Sequence, residues 1–155
     1  PLAHPSHHLH GLSITCARIF TAFGPRQRPY LAIHKFAARM RAGEPVPVYG
    51  DGSALRDFTF VEDLVDGLVA ALDRPLGFAL LNFGAGRTVS VAEVVAALER
   101  TLGVAARIEH LPRQPGDVSR TWADIGEARE ALGYAPRTPF EEGVARFAAW
   151  LEAPA

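Results

Sequence analysis

Arg56 stands between a glycine-rich turn and the predicted start of a helix, where a guanidinium could bind an anion. The turn at residues 50–52 contains two glycines, which adopt positive φ readily, and it joins a predicted strand at 46–49 to a second at 56–60. An arginine whose backbone is fixed on both sides loses little entropy when it binds a phosphate or a carboxylate. The alternative is a surface ion pair with one of two nearby carboxylates, Asp57 or Glu62.

More polar residues follow the first predicted strand, at residues 13–20. This segment is apolar, as is typical of a strand in a parallel sheet that is covered on both faces. Ligands of α/β sheets bind beyond the carboxyl ends of the strands, and that position holds Thr21, Arg26 and Arg28. A proline- and glycine-containing loop at residues 112–121 carries four more polar side chains: Arg113, Gln114, Asp117 and Arg120.

The elements that would position these residues alternate between strand and helix. Apolar runs predict strands at 78–83 and 106–111, and helical spacing predicts a helix at 30–41. Capping boxes, in which Ser, Thr or Asp precedes Glu by three residues, predict four further helix starts: 59–62, 90–93, 124–127 and 138–141. Pro139 is expected to be the first residue of the last helix. The alternation, with no repeat or linker, predicts a single α/β unit over residues 1–155.

Composition excludes several classes of protein. Sixteen basic and 17 acidic residues leave the chain near neutral, so no nucleic-acid partner is expected. No apolar run approaches the roughly 18 residues of a membrane span, and the lone Cys16 fits a reducing cytoplasm. Three histidines near the start have the spacing of a helical metal site, but Pro5 disfavours a helix and we predict no metal: His4, His7 and His8.

Three stretches resemble the extended short-chain dehydrogenase/reductase family, the NAD-dependent epimerases and dehydratases of nucleotide sugars. They are RIFTAFGPRQRP at 18–29, YGDGSALRDFTFVED at 49–63 and QPGDVSRTWAD at 114–124. The first is most similar to UDP-glucuronate 4-epimerases. The resemblance implies the C-terminal part of a Rossmann-like doubly wound sheet plus the smaller substrate-binding subdomain.

By this resemblance, the expected function is the UDP-hexuronate-binding half of an NAD-dependent sugar 4-epimerase. The alternatives are a decarboxylase or dehydratase of the same family, or a module that binds a nucleotide sugar without catalysis. The resemblance implies that Arg56 contacts the diphosphate and Asp117 the ribose, with Gln114 where relatives have a phosphate-binding arginine. Thr21 and Arg28 match residues that hold the hexuronate carboxylate.

The family's redox motifs are not found in these 155 residues. No three glycines have the spacing Gly-x-x-Gly-x-x-Gly, and Gly84-x-Gly86 is followed by Val89 where a dinucleotide fingerprint needs glycine. The single lysine, Lys35, is preceded four residues earlier by Leu31, which rules out Tyr-x-x-x-Lys. We therefore predict no catalytic and no NAD-binding residue in this chain. The resemblance implies NAD as the cofactor of the full-length family, and none is predicted for this chain alone. The expected partners are a UDP-sugar substrate and a missing N-terminal half, and uncovered strands leave a homodimer open.

Overall fold

A computed structural model describes residues 2–153 as a mixed α/β fold. Its helices are α1 (Ala3–His10), α2 (Ala32–Arg41), α3 (Val61–Asp73), α4 (Val91–Leu102), α5 (Gly126–Leu132) and α6 (Phe140–Glu152). Its strands are β1 (Ile14–Ile19), β2 (Thr21–Phe23), β3 (Val46–Tyr49), β4 (Leu55–Arg56), β5 (Phe58–Phe60), β6 (Phe78–Phe83), β7 (Val89–Ser90) and β8 (Ile108–Leu111).

The strands of residues 2–153 pair in four two-stranded sheets, three of them parallel. β1 pairs with β6 along their full lengths, β2 with β5, and β3 with β8, whereas β4 and β7 are antiparallel. The strands predicted at 13–20 and 78–83 are confirmed as β1 and β6, and the structure pairs them in parallel. The strand predicted at 56–60 is interrupted at Asp57, and its two halves pair with different partners.

Two hydrophobic clusters form the interior. The larger one joins β2, β3 and β5 to α2, α4 and α6, and Phe23 and Phe60 lie within it. The smaller one joins the C-terminal half of β6 to α3 and α5, around Phe83 and Tyr134. Gly143 of α6 lets this helix approach the larger cluster closely, since a Cβ there would lie 2.6 Å from Phe23 Cζ and 2.9 Å from Phe60 Cδ2.

Of the four predicted capping boxes, only the one at 90–93 is confirmed. Ser90 Oγ accepts from the Glu93 N–H, and the Glu93 carboxylate accepts from the Ser90 N–H. The Ser90 hydroxyl also donates to this carboxylate, and this bond, followed by the one from the Ser90 N–H, holds the pKa of Glu93 below its usual value. The other three predictions are wrong because tertiary or local partners take the groups concerned. Thr59 donates to Asp57 instead, Asp124 accepts from the Gly126 N–H in a turn, and the Thr138 N–H donates to Asp63.

Four helices begin later than predicted: α2, α3, α5 and α6. α3 begins at Val61 after Phe60, α5 begins at Gly126, and α2 begins two residues later than predicted. Pro139 is the residue that precedes α6 and not its first helical residue. Its missing N–H makes it tolerable at either place.

The helix α1 contradicts the expectation that Pro5 disfavours a regular helix. Pro5 is the third residue of α1, within the first turn, where a backbone N–H has no helical acceptor and its absence costs nothing. His4 and His7 pack against the ring of Phe78, and His7 Nδ1 bonds to the Leu12 carbonyl.

Across residues 2–153, no helix has the length and apolar character needed to span a bilayer.

The β1–β6 pair is less covered than predicted for a buried parallel sheet. Ile19 of β1 is 52% exposed and Leu80 of β6 is 44% exposed. The outer face of α3 also presents apolar side chains, including Val65, Val69 and Leu72. Parallel sheets are ordinarily covered on both faces, so these side chains form an exposed apolar surface.

The close approach of α6 predicts an unusual response to Gly143→Ala. On helix propensity alone, this change would stabilise α6 by about 1 kcal/mol. The clash with two phenylalanine rings should outweigh that gain and lower the free energy of unfolding by about 1–2 kcal/mol net, as measured by urea denaturation. Ala145→Gly, on the exposed face of α6, is the matched control and should cost about 1 kcal/mol from propensity. A Gly143→Ala protein more stable than the parent would contradict the packing.

Candidate functional site

A cleft of about 720 Å³ opens beyond the carboxyl end of β1. Residues 19–28 form most of its wall, and Leu31, Val61 and Thr121 complete it. The structure thus brings together Thr21, Arg26 and Arg28, which the sequence placed at this position.

The cleft has a positive electrostatic character. Arg26 and Arg28 are the charged residues of its described lining, which contains no carboxylate. Arg28 Nη1 donates to the Tyr30 phenol at 2.8 Å, so its partner within the protein is neutral. A guanidinium with a neutral partner keeps its charge for an anionic ligand.

Arg56 and Asp117 lie in direct contact. Arg56 Nη2 is 2.5 Å from Asp117 Oδ1, and Arg56 Nη1 donates to the Leu55 carbonyl at 2.8 Å. The ion pairs considered for Arg56 from sequence are both wrong, since Glu62 pairs with Arg146 and Asp57 is bound elsewhere. The two residues expected at neighbouring parts of a nucleotide are therefore brought together across a long stretch of chain.

Gln114 lies close to this pair through its backbone. Its carbonyl accepts from the Asp117 N–H at 3.1 Å, which closes the turn that carries Asp117. Arg113 is held on the other side by the glycine turn, with Nη2 at 3.6 Å from Asp51 Oδ1. The Ser53 hydroxyl, its backbone N–H and Arg113 together hold the pKa of Asp51 at about 2, with the hydroxyl the largest influence.

The ion pair and the cleft share a wall. The segment around Thr121 runs beside Leu55, with bonds from Leu55 N to the Ser119 carbonyl and from Thr121 N to the Leu55 carbonyl, at 2.8 and 3.0 Å. Thr121 lines the cleft, and Arg56 directly follows Leu55. The strand that carries Arg56 therefore runs beside a segment that lines the cleft.

Asp57 is the central residue that sequence reasoning missed, because it was considered only as a partner of Arg56. It is 0% exposed. Its Oδ1 accepts from the Ala85 N–H at 2.7 Å and the Thr59 hydroxyl at 3.2 Å, and its Oδ2 accepts from the Gly86 and Ala123 N–H groups, each at 3.1 Å. The sequence did carry one indication of this role, a charged residue within an apolar strand pattern. A buried carboxylate needs hydrogen-bond donors for both of its oxygens.

The backbone carbonyls of the Gly84-x-Gly86 loop accept hydrogen bonds from two aromatic side chains. Tyr134 donates its phenol proton to the Gly84 carbonyl at 2.9 Å, and Trp122 Nε1 donates to the Gly86 carbonyl at 3.0 Å. Burial, with smaller contributions from Asp63 and Asp57, raises the pKa of Tyr134 far above its usual value. This phenol therefore stays neutral, and its hydrogen bond supports the loop.

The guanidinium of Arg120 lies over the Trp122 ring, 5.3 Å from its centroid.

No metal centre is formed by the described part of the chain. Between residues 2 and 153, no group of three or more His, Cys, Asp or Glu side chains is placed to hold a metal ion.

Comparisons with known proteins identify relatives of the chain. A model of the NAD dependent epimerase/dehydratase family matches residues 2–84, just over half of the 155 residues. A UDP-glucuronate 4-epimerase from Thermodesulfobacterium geofontis is 38% identical over 150 residues, which are 96% of this chain and 46% of that protein. The chain therefore spans about half the length of this curated relative.

Solved structures agree with this match. A crystal structure of the UDP-glucuronic acid 4-epimerase from Bacillus cereus, in complex with UDP-glucuronic acid and NAD, has a TM-score of 0.91 at 33% identity. It is matched over 97% of this chain and 49% of that one. The UDP-glucose 4-epimerase of Thermotoga maritima, with UDP-glucose, has a TM-score of 0.89 at 30% identity, over 96% of this chain and 48% of that one.

The contacts of Asp57 predict a large cost for Asp57→Asn. An amide has one acceptor oxygen, so its NH₂ group would face two of the four donors that now bind the carboxylate. We expect the free energy of unfolding to fall by about 2–4 kcal/mol, as measured by urea denaturation. Asp66→Asn, an exposed change on α3, should alter stability by less than about 0.5 kcal/mol. Equal effects of the two changes would show that Asp57 does not organise this site.

Proposed function

Because this chain belongs to the NAD dependent epimerase/dehydratase family, we propose that it is the substrate-binding half of a nucleotide-sugar 4-epimerase that acts on UDP-glucuronate. The family and the α/β fold class expected from the sequence are both confirmed by the comparisons. The substrate, the residue roles and the division into halves belong to the proposal.

The observation that carries the proposal is the placement of two separate cationic groups along one surface. Arg56 directly follows Leu55, whose backbone bonds to Thr121, and Thr121 lines the cleft that contains Arg28. A UDP-hexuronate has anionic groups at two places, a diphosphate and a sugar carboxylate. Two guanidiniums at separate positions match that distribution better than they match a neutral hexose.

The residues have distinct proposed roles. Arg56 binds the diphosphate, and Asp117 accepts a hydrogen bond from a ribose hydroxyl. Gln114, whose backbone closes the same turn, lies near enough to the pair to contact a phosphate. Thr21 and Arg28 hold the carboxylate in the cleft, the first as a hydroxyl donor and the second as a cation.

The contact between Arg56 and Asp117 bears on how a nucleotide would bind. In the structure, the carboxylate of Asp117 neutralises the guanidinium. Binding of a diphosphate replaces this carboxylate as the partner of Arg56 and leaves Asp117 free to accept from the ribose. The ion pair thus keeps both side chains near their binding positions before the ligand arrives.

We propose no site for NAD among the described residues. The backbone N–H groups of Ala85 and Gly86, in the one loop that resembles a phosphate cradle, already donate to Asp57. The printed sequence also lacks Gly-x-x-Gly-x-x-Gly and Tyr-x-x-x-Lys. The proposed role of this chain is therefore to bind and orient the substrate, and the catalytic and cofactor groups are proposed to come from the other half of the protein.

The other half is also the proposed cover for the exposed β1–β6 pair and the outer face of α3. A second copy of this chain, paired through the same edges, is the alternative cover. A molecular mass that rises with protein concentration in sedimentation experiments would favour the second copy as the cover.

A decarboxylase or dehydratase would use the same binding residues, and a module without catalysis would need no other half.

Arg56→Ala tests the nucleotide end of the proposal. Loss of a charge-assisted hydrogen bond should weaken UDP and UDP-glucuronate equally, by about 10- to 100-fold, and should reduce the salt dependence of binding. Titration calorimetry at two salt concentrations measures both effects.

Two controls accompany the Arg56→Ala change. Asp117→Asn should weaken UDP only a few-fold and leave the salt dependence almost unchanged, because the ribose contact involves no ligand charge. Arg100→Ala, on the exposed side of α4, should have no effect. If the parent does not bind UDP, or if Arg56→Ala binds UDP as well as the parent does, the proposed site is wrong.

Arg28→Ala tests the sugar end. If Arg28 holds the carboxylate as a bidentate pair, its loss should cost about 2–4 kcal/mol with UDP-glucuronate, or some 30- to 1000-fold in affinity. The affinity for UDP-glucose, which has no carboxylate, should change by less than about 3-fold. Equal losses for both sugars in competition titrations would show that Arg28 is not the determinant of uronate binding.

A further inference from the structure

The loop at residues 24–28, which carries both guanidiniums of the cleft, is tied to α2 by a reciprocal set of hydrogen bonds. The side chain of Gln27 is buried, with the residue only 8% exposed. Its Nε2 donates to the Ala22 carbonyl at 3.1 Å, and its Oε1 accepts from the His34 N–H at 3.1 Å. His34 Nδ1 lies 2.7 Å from the Gln27 carbonyl oxygen.

This contact replaces the missing cap of α2. The residue that precedes the helix, Leu31, makes no side-chain cap, and the first turn contains no acidic residue. Gln27 Oε1 binds the N–H of His34, the third helical residue, which would otherwise lack an acceptor. The start of α2 and the cleft loop therefore hold each other in place.

The imidazole of His34 anchors the other side of the contact. Because a carbonyl oxygen only accepts, Nδ1 must carry the proton that is donated to Gln27. The ring packs edge-on against Phe147 and Trp150 of α6, with centroids 5.6 and 5.9 Å away. The backbone of Gln27 is thus connected to the larger hydrophobic cluster.

The loop needs this support because its backbone is unfavourable. Arg26, with φ of 65°, is the one non-glycine residue with positive φ among residues 2–153. A side chain in this conformation is disfavoured, so a loop without restraints would relax to another arrangement. The Gln27 N–H donates to the Gly24 carbonyl at 3.1 Å, which closes the turn around Arg26.

We propose that Gln27 and His34 are positioning residues that set the preference of the cleft for an anionic sugar. They act by holding residues 24–28 in the arrangement that presents Arg28 to the sugar end. The inference rests on the proposed function, since the benefit is measured by the binding of UDP-glucuronate relative to UDP-glucose. Neither residue needs to touch the ligand.

Two substitutions of His34 separate the hydrogen bond from the packing. His34→Phe keeps an aromatic ring against Phe147 and Trp150 but has no donor for the Gln27 carbonyl. His34→Asn loses the ring but places an amide N–H near the position of Nδ1. We expect His34→Phe to reduce the preference for UDP-glucuronate over UDP-glucose by about 5- to 10-fold, whereas His34→Asn should keep the parental preference.

Binding of UDP alone should stay within about 2-fold of the parent in both variants, because UDP does not reach the sugar end. Thermal melting provides the contrast, since loss of the ring should make His34→Asn the less stable protein. A merely structural role would make binding follow stability, with the greater loss in His34→Asn. That outcome, or a parental sugar preference in His34→Phe, would overturn the inference.

Gln27→Met is a second variant in case His34→Phe does not fold, since it keeps the length of the side chain and removes both amide contacts. It should show the same loss of sugar preference. His8→Phe, an exposed change on α1, is the matched control and should behave as the parent does.

Hydrogen exchange of the loop amides makes the test independent of the ligand. The amides of residues 26–28 should exchange faster in His34→Phe than in the parent or in His34→Asn. If the parent binds no UDP, the proposed function fails, while the exchange rates still decide whether the contact holds the loop. If the parent binds as proposed and the exchange rates are equal in all three proteins, the inference alone fails.

Discussion

The buried carboxylate of Asp57 is the constraint on which the site depends. A charge removed from water is tolerated only when its oxygens are fully bound, and here four donors from three segments bind them. These contacts hold the loop after β6 and the segment around Ala123 beside the strand that carries Arg56. They also explain why the predicted strand at 56–60 is divided. The wall shared by the ion pair and the cleft follows from this arrangement.

The proposed function gives this chain the task of positioning anions. Its cationic groups, Arg56 and Arg28, lie on separate elements, and each has a partner within the protein. The buried phenol of Tyr134 is kept neutral by its surroundings and supports the loop at Gly84. This division agrees with the proposal that reactive groups belong to another part of the protein. In the same proposal, substrate preference depends on the geometry of the cleft loop, which is bonded to α2 by the Gln27–His34 contact.

Local patterns predicted the elements better than they predicted the ends of the elements. Apolar runs and helical spacing located β1, β6 and α4 well, because burial of one face imposes a period on the sequence. Three capping boxes failed because their side chains or backbone groups had stronger partners or other local contacts. Thr59 shows this most directly, since its hydroxyl bonds to Asp57 and not to the helix it precedes. The prediction from Pro5 was also wrong, but here a helix formed where none was expected. Pro5 lies within the first turn of α1, where the missing N–H does not destabilise the helix.

From the sequence by itself came the family, the α/β class, the order of most elements and the candidates Thr21, Arg28, Arg56, Gln114 and Asp117. These depend on motifs and periods within short stretches, as does the positive φ of the turn glycines at 50 and 52. Only the tertiary structure decided which residues meet: Arg56 with Asp117, Asp57 with the loop at 84–86, and Gln27 with His34. The physical reason is that a hydrogen bond depends on the position of both partners. When those partners lie on different elements, their positions are set by packing and leave no local pattern in the chain.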